Sequence, residues 1–276
     1  MFVELIVEAN PEAFEIFIAE LADLGYDSFM EEQDTLKAYI LAENFDEEAI
    51  KMLQIEYAKV YPFRYTFSKL EKINWNETWE KNYEPVEIAD KVRIRAIFHE
   101  PKSQDFEYEI IITPKMSFGT GHHATTSLMI ENQLEINHQG KAVLDAGTGT
   151  GILAIMAKFL GASYIEAFDT DEWAVENSRE NILLNDCSEI VVYQGDISAV
   201  DTQKRFDILL ANINKNVLLA DIPAYSQLLK IGGFLLLSGF YEEDLADIQQ
   251  KCKENNLQFV KEKNRNKWVS AVFEKV

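Results

Sequence analysis

The run Val143-Leu144-Asp145-Ala146-Gly147-Thr148-Gly149-Thr150-Gly151 indicates the fold of this chain. Its apolar start predicts a buried strand, and the apolar residues 152–155 that follow it predict a helix. Glycine at every second position lets the backbone pass close to a bulky ligand, where a Cβ atom would collide. The first N–H groups of a helix have no partner within it and are free to meet that ligand. The run therefore predicts a strand, a turn and a helix that cradle a nucleotide-like molecule.

The spacing of these glycines separates two classes of ligand. A dinucleotide-binding turn reads G-x-G-x-x-G and places a pyrophosphate at the helix N-terminus. Here the glycines read G-x-G-x-G, and Asp145 precedes Gly147 by two residues. A carboxylate at that position would repel a phosphate but suits a cation. We therefore expect S-adenosylmethionine, which has an adenosine, a sulfonium and an ammonium group, to lie beside Asp145, Gly147 and Gly149.

Composition indicates a folded protein without a metal or a membrane anchor. The 276 residues are 47% hydrophobic, which is enough for one large domain or two smaller ones. No apolar run approaches the ~18 residues that span a membrane, and Glu4 and Glu8 interrupt any leader, so we expect a cytoplasmic location. Cys187 and Cys252 have no metal-like spacing and fit reduced, structural thiols.

The negative charge is concentrated at one end of the chain. The net charge is −21, and residues 1–70 contain 15 acidic and 5 basic residues, a net −10. Such a surface repels a phosphate backbone and attracts a basic macromolecule, so no direct nucleic-acid binding is expected. Simple solubility is the alternative explanation. The protein is expected to be a monomer.

The pattern along the chain predicts two domains joined by a helical linker. Residues 1–72 predict a small α+β domain of ferredoxin-like order β-α-β-β-α-β, a frequent binding module. Its predicted strands are 2–8, 26–32, 35–42 and 64–70, with helices starting after Asn10-Pro11 and Asp46. Residues 73–90 predict the linker and hinge, in which Trp75 and Trp79 lie on one helical face and pack the linker more readily than they contact a substrate.

Residues 91–276 predict the larger domain. Apolar strands alternate with amphipathic helices there, which indicates a doubly wound, Rossmann-like α/β sheet with its ligand at the carboxyl ends of the strands. Strands at 92–98 and 108–113 precede this sheet. Its seven predicted strands are 142–146, 164–168, 190–194, 206–211, 233–238, 257–262 and 268–274. The last two are expected to form an antiparallel hairpin.

Polar residues that follow the strands are the candidate site. Asp169 lies 22 residues beyond Gly147, where a carboxylate reaches ribose hydroxyls in this topology. Asp171 predicts the N-cap of the next helix. Asp196 either contacts the adenine amino group or caps a helix. Asn212 follows the fourth strand and could accept from an amine without adding a negative charge that would hold the amine protonated, with helix capping as its alternative.

The loop at residues 114–126 precedes the sheet and contains Gly119-Thr120-Gly121. Glycines and hydroxyls in such a loop are typical of a flap over a cofactor. His122 and His123 are adjacent, but neighbours in sequence diverge in space and no acidic or cysteine partner lies at ligand spacing. We therefore expect no metal here and hydrogen bonding within the loop instead.

These residues together resemble one family, the bacterial methyltransferases that modify large-subunit ribosomal protein eleven. The resemblance covers nearly the whole chain, and the loop and the Ala-Asn-Ile motif are more selective than the glycine run. The matching pieces are residues 74–79, Phe118-Gly119-Thr120-Gly121, the run from Asp145, Asp169-Thr170-Asp171, Ala211-Asn212-Ile213, residues 232–239 and Trp268.

The resemblance implies an activity, a partner and site residues. It implies transfer of up to three methyl groups from S-adenosylmethionine to each of several lysine side chains and the N-terminal amine of that ribosomal protein, which the small domain grips while the linker swings. The implied cofactor contacts are Thr126, Gly147, Asp169 and Asn212, with Phe118, Thr120 and Gly121 beside the methyl group. The sequence departs from the family at Ala124, where proline is usual, and at Thr148 and Thr150, where cysteine and serine are frequent.

Other functions remain open on the residues alone. A nicotinamide dehydrogenase would need the other glycine spacing and a proton donor. A methyltransferase acting on another basic protein, a small molecule or a nucleic acid would keep the same cofactor site, although the acidic N-terminal region argues against nucleic acid. A protein that binds the cofactor without catalysing a reaction would also keep this cofactor site. No sequence feature identifies a dedicated base.

Overall fold

The structure is a computed structural model that describes residues 2–26, 28–70, 84–101, 106–114 and 118–276. The chain divides into two compact units, Met1–Asn82 and Tyr83–Val276. The predicted linker helix with Trp75 and Trp79 lies outside the described residues. No helix in the described ranges is long and apolar enough to cross a membrane.

The first unit is a four-stranded antiparallel sheet with two helices. Its elements are β1 (Phe2–Glu8), α1 (Phe14–Asp23), β2 (Ser28–Glu32), β3 (Thr35–Leu41), α2 (Glu47–Tyr57) and β4 (Arg64–Leu70). The strand order is β2-β3-β1-β4. Val3, Leu5 and Val7 alternate along β1 and join Phe17 of α1 and Leu53 of α2 in one core. One face of the sheet is thus covered by both helices.

Side-chain caps start the elements of this unit where the sequence predicts them. The Asn10 side chain accepts from the Glu12 N–H at 3.1 Å, at the start of a short turn that leads into α1. The Asp46 side chain accepts from the N–H groups of Glu48 and Ala49 at the start of α2. Both caps satisfy N–H groups that have no partner within the helix.

The second unit begins with a small sheet that the sequence predicted only in part. It contains β5 (Val86–Ile88), β6 (Val92–Ala96) and β7 (Tyr108–Ile112), in the order β5-β6-β7. The predicted helical linker reached residue 90, but residues 86–88 form a strand, so that part of the prediction is wrong. Val86 pairs with Ile94, and a three-residue strand has too little pattern to be found without its partner.

A large sheet forms the centre of the second unit. Its strands are β8 (Ala142–Ala146), β9 (Tyr164–Asp169), β10 (Val191–Gln194), β11 (Phe206–Asn212), β12 (Leu229–Tyr241), β13 (Leu257–Arg265) and β14 (Trp268–Lys275), in the order β10-β9-β8-β11-β12-β14-β13. Strands β8 to β12 pair in parallel, and β14 is antiparallel to both β12 and β13. The predicted terminal hairpin is confirmed.

Helices cover both faces of this sheet. They are α3 (Ala124–Leu134), α4 (Ile152–Phe159), α5 (Glu172–Leu184), α6 (Lys215–Leu228) and α7 (Leu245–Glu254). Val143 and Leu144, adjacent on β8, enter two different cores, one with residues of α3 and α4 and one with residues of α6 and α7. The predicted doubly wound α/β architecture is confirmed. The direction of winding changes between β8 and β11, which is where such sheets bind ligands.

Strand β12 is longer than predicted. The predicted strand covered 233–238, but Leu229 already pairs with Phe206 and β12 runs from Leu229 to Tyr241. The register shifts between Phe206 and Ile208, which accommodates the irregular segment.

Candidate functional site

A cavity of about 610 Å³ lies at the carboxyl ends of β8, β9 and β11. This volume is typical of small-molecule sites. The lining residues are Phe118, His123, Thr125, Gly147, Gly149, Phe168–Asp171, Ala174, Asp196, Ile197, Asn212–Asn214, Val217, Asp221, Tyr225, Gly239 and Trp268. The cavity therefore occupies the change of winding direction, as the topology predicts.

The cavity brings together six of the residues that the sequence predicted: Phe118, Gly147, Gly149, Asp169, Asp196 and Asn212. Four others are described but do not line it: Thr120, Gly121, Thr126 and Asp145. Gly121 packs on Ile94, because a Cβ atom added to it would lie 2.6 Å from the Ile94 Cδ1 atom. Thr126 is fully buried, and its neighbour Thr125 lines the cavity instead.

The glycine run leaves no room for side chains. Gly147 has φ +72°, and a Cβ atom there would lie 2.4 Å from the Ile213 Cγ2 atom. Gly149 has φ +55°, and its Cβ atom would lie 2.3 Å from the Phe118 carbonyl oxygen. Both positions need the left-handed backbone that glycine adopts without strain. The sequence predicted that the backbone approaches a ligand here, whereas the atoms that these two glycines approach in the structure belong to Ile213 and Phe118.

That loop is fastened to the glycine run through Thr150. The Thr150 N–H donates to the Phe118 carbonyl at 3.0 Å, and the Thr150 hydroxyl donates to the Gly119 carbonyl at 2.6 Å. The Thr150 carbonyl accepts from the Asn181 amide at 2.8 Å. These contacts hold Phe118 at the cavity with 53% of its surface exposed.

The carboxylate of Asp169 is held on both sides. Its Oδ2 atom accepts from the Gly149 N–H at 2.9 Å, and its Oδ1 atom accepts from the Asp171 N–H at 3.1 Å. Each oxygen keeps a second lone pair for another donor. Asp171 in turn caps α5 by accepting from the Trp173 N–H at 2.9 Å, so its predicted capping role is confirmed.

Asp196 has the capping role that the sequence offered, and its side of the turn also faces the cavity. It accepts from the Ser198 N–H at 2.8 Å and caps a short helical turn, and it also lines the cavity. Hydrogen bonds from Ser198 lower the pKa of Asp196. The carboxylate is therefore charged where it meets the cavity.

A further acidic group on the cavity wall, Asp221, was not among the residues that the sequence predicted. Burial raises the pKa of Asp221, the hydrogen bond from the Tyr225 hydroxyl at 3.3 Å lowers it, and the charge of Asp196 raises it. Burial likewise raises the pKa of Tyr225. Val217, Asp221 and Tyr225 are four apart on α6, and this spacing is the signal that could have shown them on one face.

Asp145 is fully buried and outside the cavity wall, contrary to the expected contact with a ligand cation. The Thr148 hydroxyl donates to its Oδ2 atom at 2.7 Å, and its Oδ1 atom has no hydrogen-bond partner in the described ranges. Burial raises the pKa of Asp145 to about 7, and the charge of Asp169 adds to this. The carboxyl group is thus bound to Thr148 of the glycine run and does not reach the cavity.

Asn212 ends β11 with an unsatisfied acceptor. Its side chain is buried, its Nδ2 atom lies 3.5 Å from the Thr126 Oγ1 atom, and its Oδ1 atom has no partner among the described residues. Asn214 caps α6 by accepting from the Val217 N–H at 3.2 Å, so the capping alternative for Asn212 is wrong. A buried acceptor without a donor costs about 1–3 kcal/mol, which a bound donor would recover.

The adjacent histidines point to different neighbours. The His122 Nε2 atom lies 2.9 Å from the Glu84 carbonyl oxygen, whereas the His123 ring caps α3 and contacts Phe118 and Trp268. Burial lowers the pKa of His123. No group of three or more His, Cys, Asp or Glu side chains in the described part of the chain could hold a metal ion.

The charge of the cavity wall limits the chemistry of its ligand. Four carboxylates line it, those of Asp169, Asp171, Asp196 and Asp221. The lining residues that the structure describes include neither lysine nor arginine. Such a wall disfavours a phosphate and favours a neutral or cationic ligand.

Comparison with known proteins decides the family. A family model described as ribosomal protein L11 methyltransferase matches residues 7–276. The chain belongs to the ribosomal protein L11 methyltransferase family. A protein with that name from Phocaeicola vulgatus is 41% identical over 272 residues, covering 96% of this chain and 94% of the relative. One from Porphyromonas gingivalis is 42% identical over 263 residues, covering 95% and 90%.

Solved structures agree with this membership of the L11 methyltransferase family. The ribosomal protein L11 methylase of Lactobacillus delbrueckii subsp. bulgaricus superposes with a TM-score of 0.63 at 29% identity, covering 70% of this chain and 99% of that chain. A methyltransferase from Pyrococcus furiosus, with a TM-score of 0.50 and 21% identity over 60% of this chain and 89% of that one, shares the fold. The predicted Rossmann-like methyltransferase fold and the predicted S-adenosylmethionine-dependent methyltransferase activity are confirmed.

Proposed function

We propose that this enzyme methylates ribosomal protein L11 at amine nitrogens, on lysine side chains and at the N-terminus, with up to three methyl groups on each. The unsatisfied Oδ1 atom of Asn212 supports this most directly, because it is a buried acceptor on a cavity wall beside the glycine run. An amine is a donor that fits it. The relatives that match this chain are named as methyltransferases of that protein.

The residues present fit S-adenosylmethionine. When bound, it would supply a methyl group on a sulfonium, which the amine nitrogen takes up as the carbon–sulfur bond breaks and a proton leaves. Asp169, with both oxygens oriented by backbone N–H groups, would accept from ribose hydroxyls. Asp196 and Asp221 would meet the adenine amino group, and Gly147 and Gly149 would allow the close approach of the ligand. No metal takes part in this proposal.

The amine has to be presented as the neutral base. A lysine of pKa ~10.4 is almost wholly protonated at pH 7, so deprotonation costs roughly 4–5 kcal/mol. Asn212 would accept one N–H and aim the nitrogen lone pair without holding the extra proton, as a carboxylate would. Thr126 would support the Asn212 side chain from behind, and Phe118, with Thr120 and Gly121 in the same loop, would exclude water beside the methyl group.

His123 is not assigned as the base. Its Nδ1 atom lies 2.7 Å from the Thr125 hydroxyl and 3.3 Å from the Thr125 backbone nitrogen, so this atom is engaged at the start of α3. Because burial lowers the pKa of His123, the ring stays neutral near pH 7.

Asp145 acts in this proposal without touching the substrate. Its buried carboxyl group has a pKa raised to about 7, so a cationic ligand in the adjacent cavity would favour its charged form. The charge would then lie behind the glycine run, where it attracts the ligand cation across the loop.

The roles of the two domains belong to the same proposal. Residues 1–72 form a ferredoxin-like recognition domain, and the methyltransferase domain includes the small sheet that begins with β5 at Val86. The net −10 of residues 1–70 suits a basic protein substrate and disfavours direct nucleic-acid binding. The protein works as a monomer in the cytoplasm.

Methyl-labelled S-adenosylmethionine and purified ribosomal protein L11 provide the test. The full-length enzyme is expected to place label on L11, and mass spectrometry is expected to locate it on lysine and N-terminal amines. Asn212→Ala should abolish transfer while the affinity for S-adenosylhomocysteine, measured by calorimetry, stays within about 10-fold. Asn137→Ala, at an exposed loop asparagine, is the matched control. Label on RNA or a metabolite and none on L11 would overturn the proposal.

A further inference from the structure

Three asparagine side chains of α5 bond the backbone at one edge of β7. Asn177, Asn181 and Asn185 lie four residues apart on α5 and its C-cap, so they share one face of the helix. The Asn185 Oδ1 atom accepts from the Ile111 N–H at 2.8 Å, and its Nδ2 atom donates to the Ile111 carbonyl at 2.6 Å. A side-chain amide has the donor and the acceptor of a peptide group. These three residues, the asparagine ladder, therefore bond β7 as a neighbouring strand would.

The other two members of the asparagine ladder bond Thr113, the residue that follows β7 and precedes the loop at residues 114–126. The Asn181 Oδ1 atom accepts from the Thr113 N–H at 2.7 Å, and the Asn177 Nδ2 atom donates to the Thr113 carbonyl at 3.1 Å. Asn181 is 0% exposed and Asn177 1% exposed, so water does not compete for these bonds. The residue before the loop is thus fixed to α5.

Asn181 also bonds the glycine run. Its Nδ2 atom donates to the Thr150 carbonyl at 2.8 Å. Thr150 in turn holds the carbonyl groups of Phe118 and Gly119 through its N–H and its hydroxyl. One buried side chain therefore connects the start of the loop with the part of the glycine run that holds Phe118.

We propose that Asn181 is a positioning residue for methyl transfer, because it sets the place of the Phe118 loop relative to the glycine run. This inference rests on the proposed function above, in which Phe118 lies beside the methyl group. Only a short segment separates Thr113 from Phe118, and Asn181 fixes the first directly and the second through Thr150. A short segment held at both ends has few conformations.

Loss of the Asn181 amide should release both ends of this segment. The Thr113 N–H would lose its acceptor and the Thr150 carbonyl its donor. Phe118 would then shift relative to the ligand, and a displacement of about 1 Å can reduce a reaction rate by about 100-fold. Asn181 acts only through the loop, since it is fully buried and is not among the residues that line the cavity.

Hydrogen exchange tests this connection in the full-length enzyme without a substrate. The Thr150 N–H, which donates to the Phe118 carbonyl at 3.0 Å, is the reporter. Asn181→Ala should make it exchange at least about 10-fold faster, because the loop opens more often. Asn185→Ala is the matched control, since the Asn185 side chain bonds Ile111 and the Asn181 carbonyl instead of Thr150. In this control the Thr150 exchange rate should stay within about 3-fold of the original.

Initial rates separate positioning from stability. Asn181→Ala should lower kcat for L11 by about 10- to 100-fold and change KM for L11 by less than about 3-fold, because the buried side chain does not touch the substrate. Asn185→Ala should keep kcat within about 3-fold. Denaturant titration checks that both variants are folded in the assay. Equal kcat values and equal Thr150 exchange for the two alanine variants would overturn the inference, since the asparagine ladder would then serve stability alone.

A second variant covers the case in which Asn181→Ala does not fold. Asn181→Gln keeps a buried amide but lengthens the side chain by a methylene group, so the amide no longer meets Thr113 and Thr150 where they lie. It should speed Thr150 exchange and lower kcat by at least about 5-fold. If both quantities stay unchanged in this variant, the inference is wrong.

The two proposals fail separately. Label on L11, together with equal kcat and equal Thr150 exchange for the two alanine variants, removes the role of Asn181 and leaves the methyl transfer. Faster Thr150 exchange in Asn181→Ala but not in Asn185→Ala, together with no label on L11 from the original enzyme, removes L11 as the acceptor and leaves Asn181 as the anchor of the loop.

Discussion

The hydroxyl of Thr150 donates to the carbonyl of Gly119 at 2.6 Å, so the loop that carries Phe118 is bound to the glycine run. Thr150 thereby connects the glycine run, which holds the cofactor in our proposal, to Phe118, which lies beside the reacting amine in the same proposal.

Removing this hydroxyl is expected to loosen the loop. Thr150→Val leaves the Gly119 carbonyl without its donor and should cost about 1–3 kcal/mol of unfolding free energy. A shift of Phe118 by about 1 Å should lower kcat/KM for L11 by about 10- to 100-fold. Thr150→Ser keeps the donor and should retain most of both quantities. Denaturant titration and initial rates check this, and equal rates for the valine and serine variants would contradict it.

The clash of a Cβ atom with the Phe118 carbonyl makes Gly149 less replaceable than Gly140. Both glycines have positive φ, +55° and +70°, so alanine at either position costs about 1–2 kcal/mol of backbone strain. The Gly149 Cβ atom would also lie 2.3 Å from the Phe118 carbonyl oxygen, whereas the Gly140 Cβ atom meets no described residue within 4 Å. Gly149→Ala should therefore also weaken S-adenosylhomocysteine binding by at least about 10-fold. Binding of S-adenosylhomocysteine is measured by calorimetry. Equal affinities of the two alanine variants would contradict a functional role for the close approach of Gly149 to the Phe118 carbonyl.

Asp145 should make the stability of the fold depend on pH. Burial raises its pKa from the ordinary 3.8 to about 7, so the folded state keeps a proton that the unfolded chain releases. Its contribution is complete below about pH 3.8 and is lost as the pH rises through about 7. Asp145→Asn has no such loss and should raise the free energy of unfolding by a few kcal/mol at pH 8, and by less at pH 5. Urea titrations at both values measure this; the same gain at pH 5 and pH 8 would rule out the buried proton.

A charge at Asn212 should change the pH dependence of transfer. Asn212→Asp keeps the shape but adds a carboxylate, which holds the acceptor amine protonated. Transfer to L11 should fall by about 10-fold or more at pH 7 and recover partly at pH 9, where more of the lysine is neutral. Initial rates across this range provide the measurement. A uniform loss at all pH values would mean that Asn212 does not face the amine.

The local sequence is enough to predict an element when its stabilising contacts lie within a few residues along the chain. The Asn10, Asp46 and Asp171 caps meet N–H groups two or three residues further along the chain, so the sequence contains both partners. The β5 strand, at Val86–Ile88, needs β6 to pair with and was expected to be part of the linker. The difference is the distance along the chain over which the stabilising contact forms.

The residues of the cavity also fall into those that the sequence could predict and those that depend on contacts between distant segments. Asp169 and Asn212 could be singled out because they end strands whose carboxyl ends meet at one edge of a parallel sheet. Asp221 and Tyr225 reach the same cavity from a helix face, and Trp268 reaches it from β14. Only the order of the strands brings these residues next to the glycine run.

The sequence by itself determined the class of cofactor and the doubly wound architecture. Glycine spacing and apolar periodicity are patterns of neighbouring residues, so they can be recognised without knowing which distant segments pack together. The tertiary structure decided that Asp145 is buried with a raised pKa, that the Asn212 acceptor is unsatisfied, and that Thr150 holds the Phe118 loop. These three features depend on desolvation and on contacts between distant segments, which exist only once the sheet and its loops have packed.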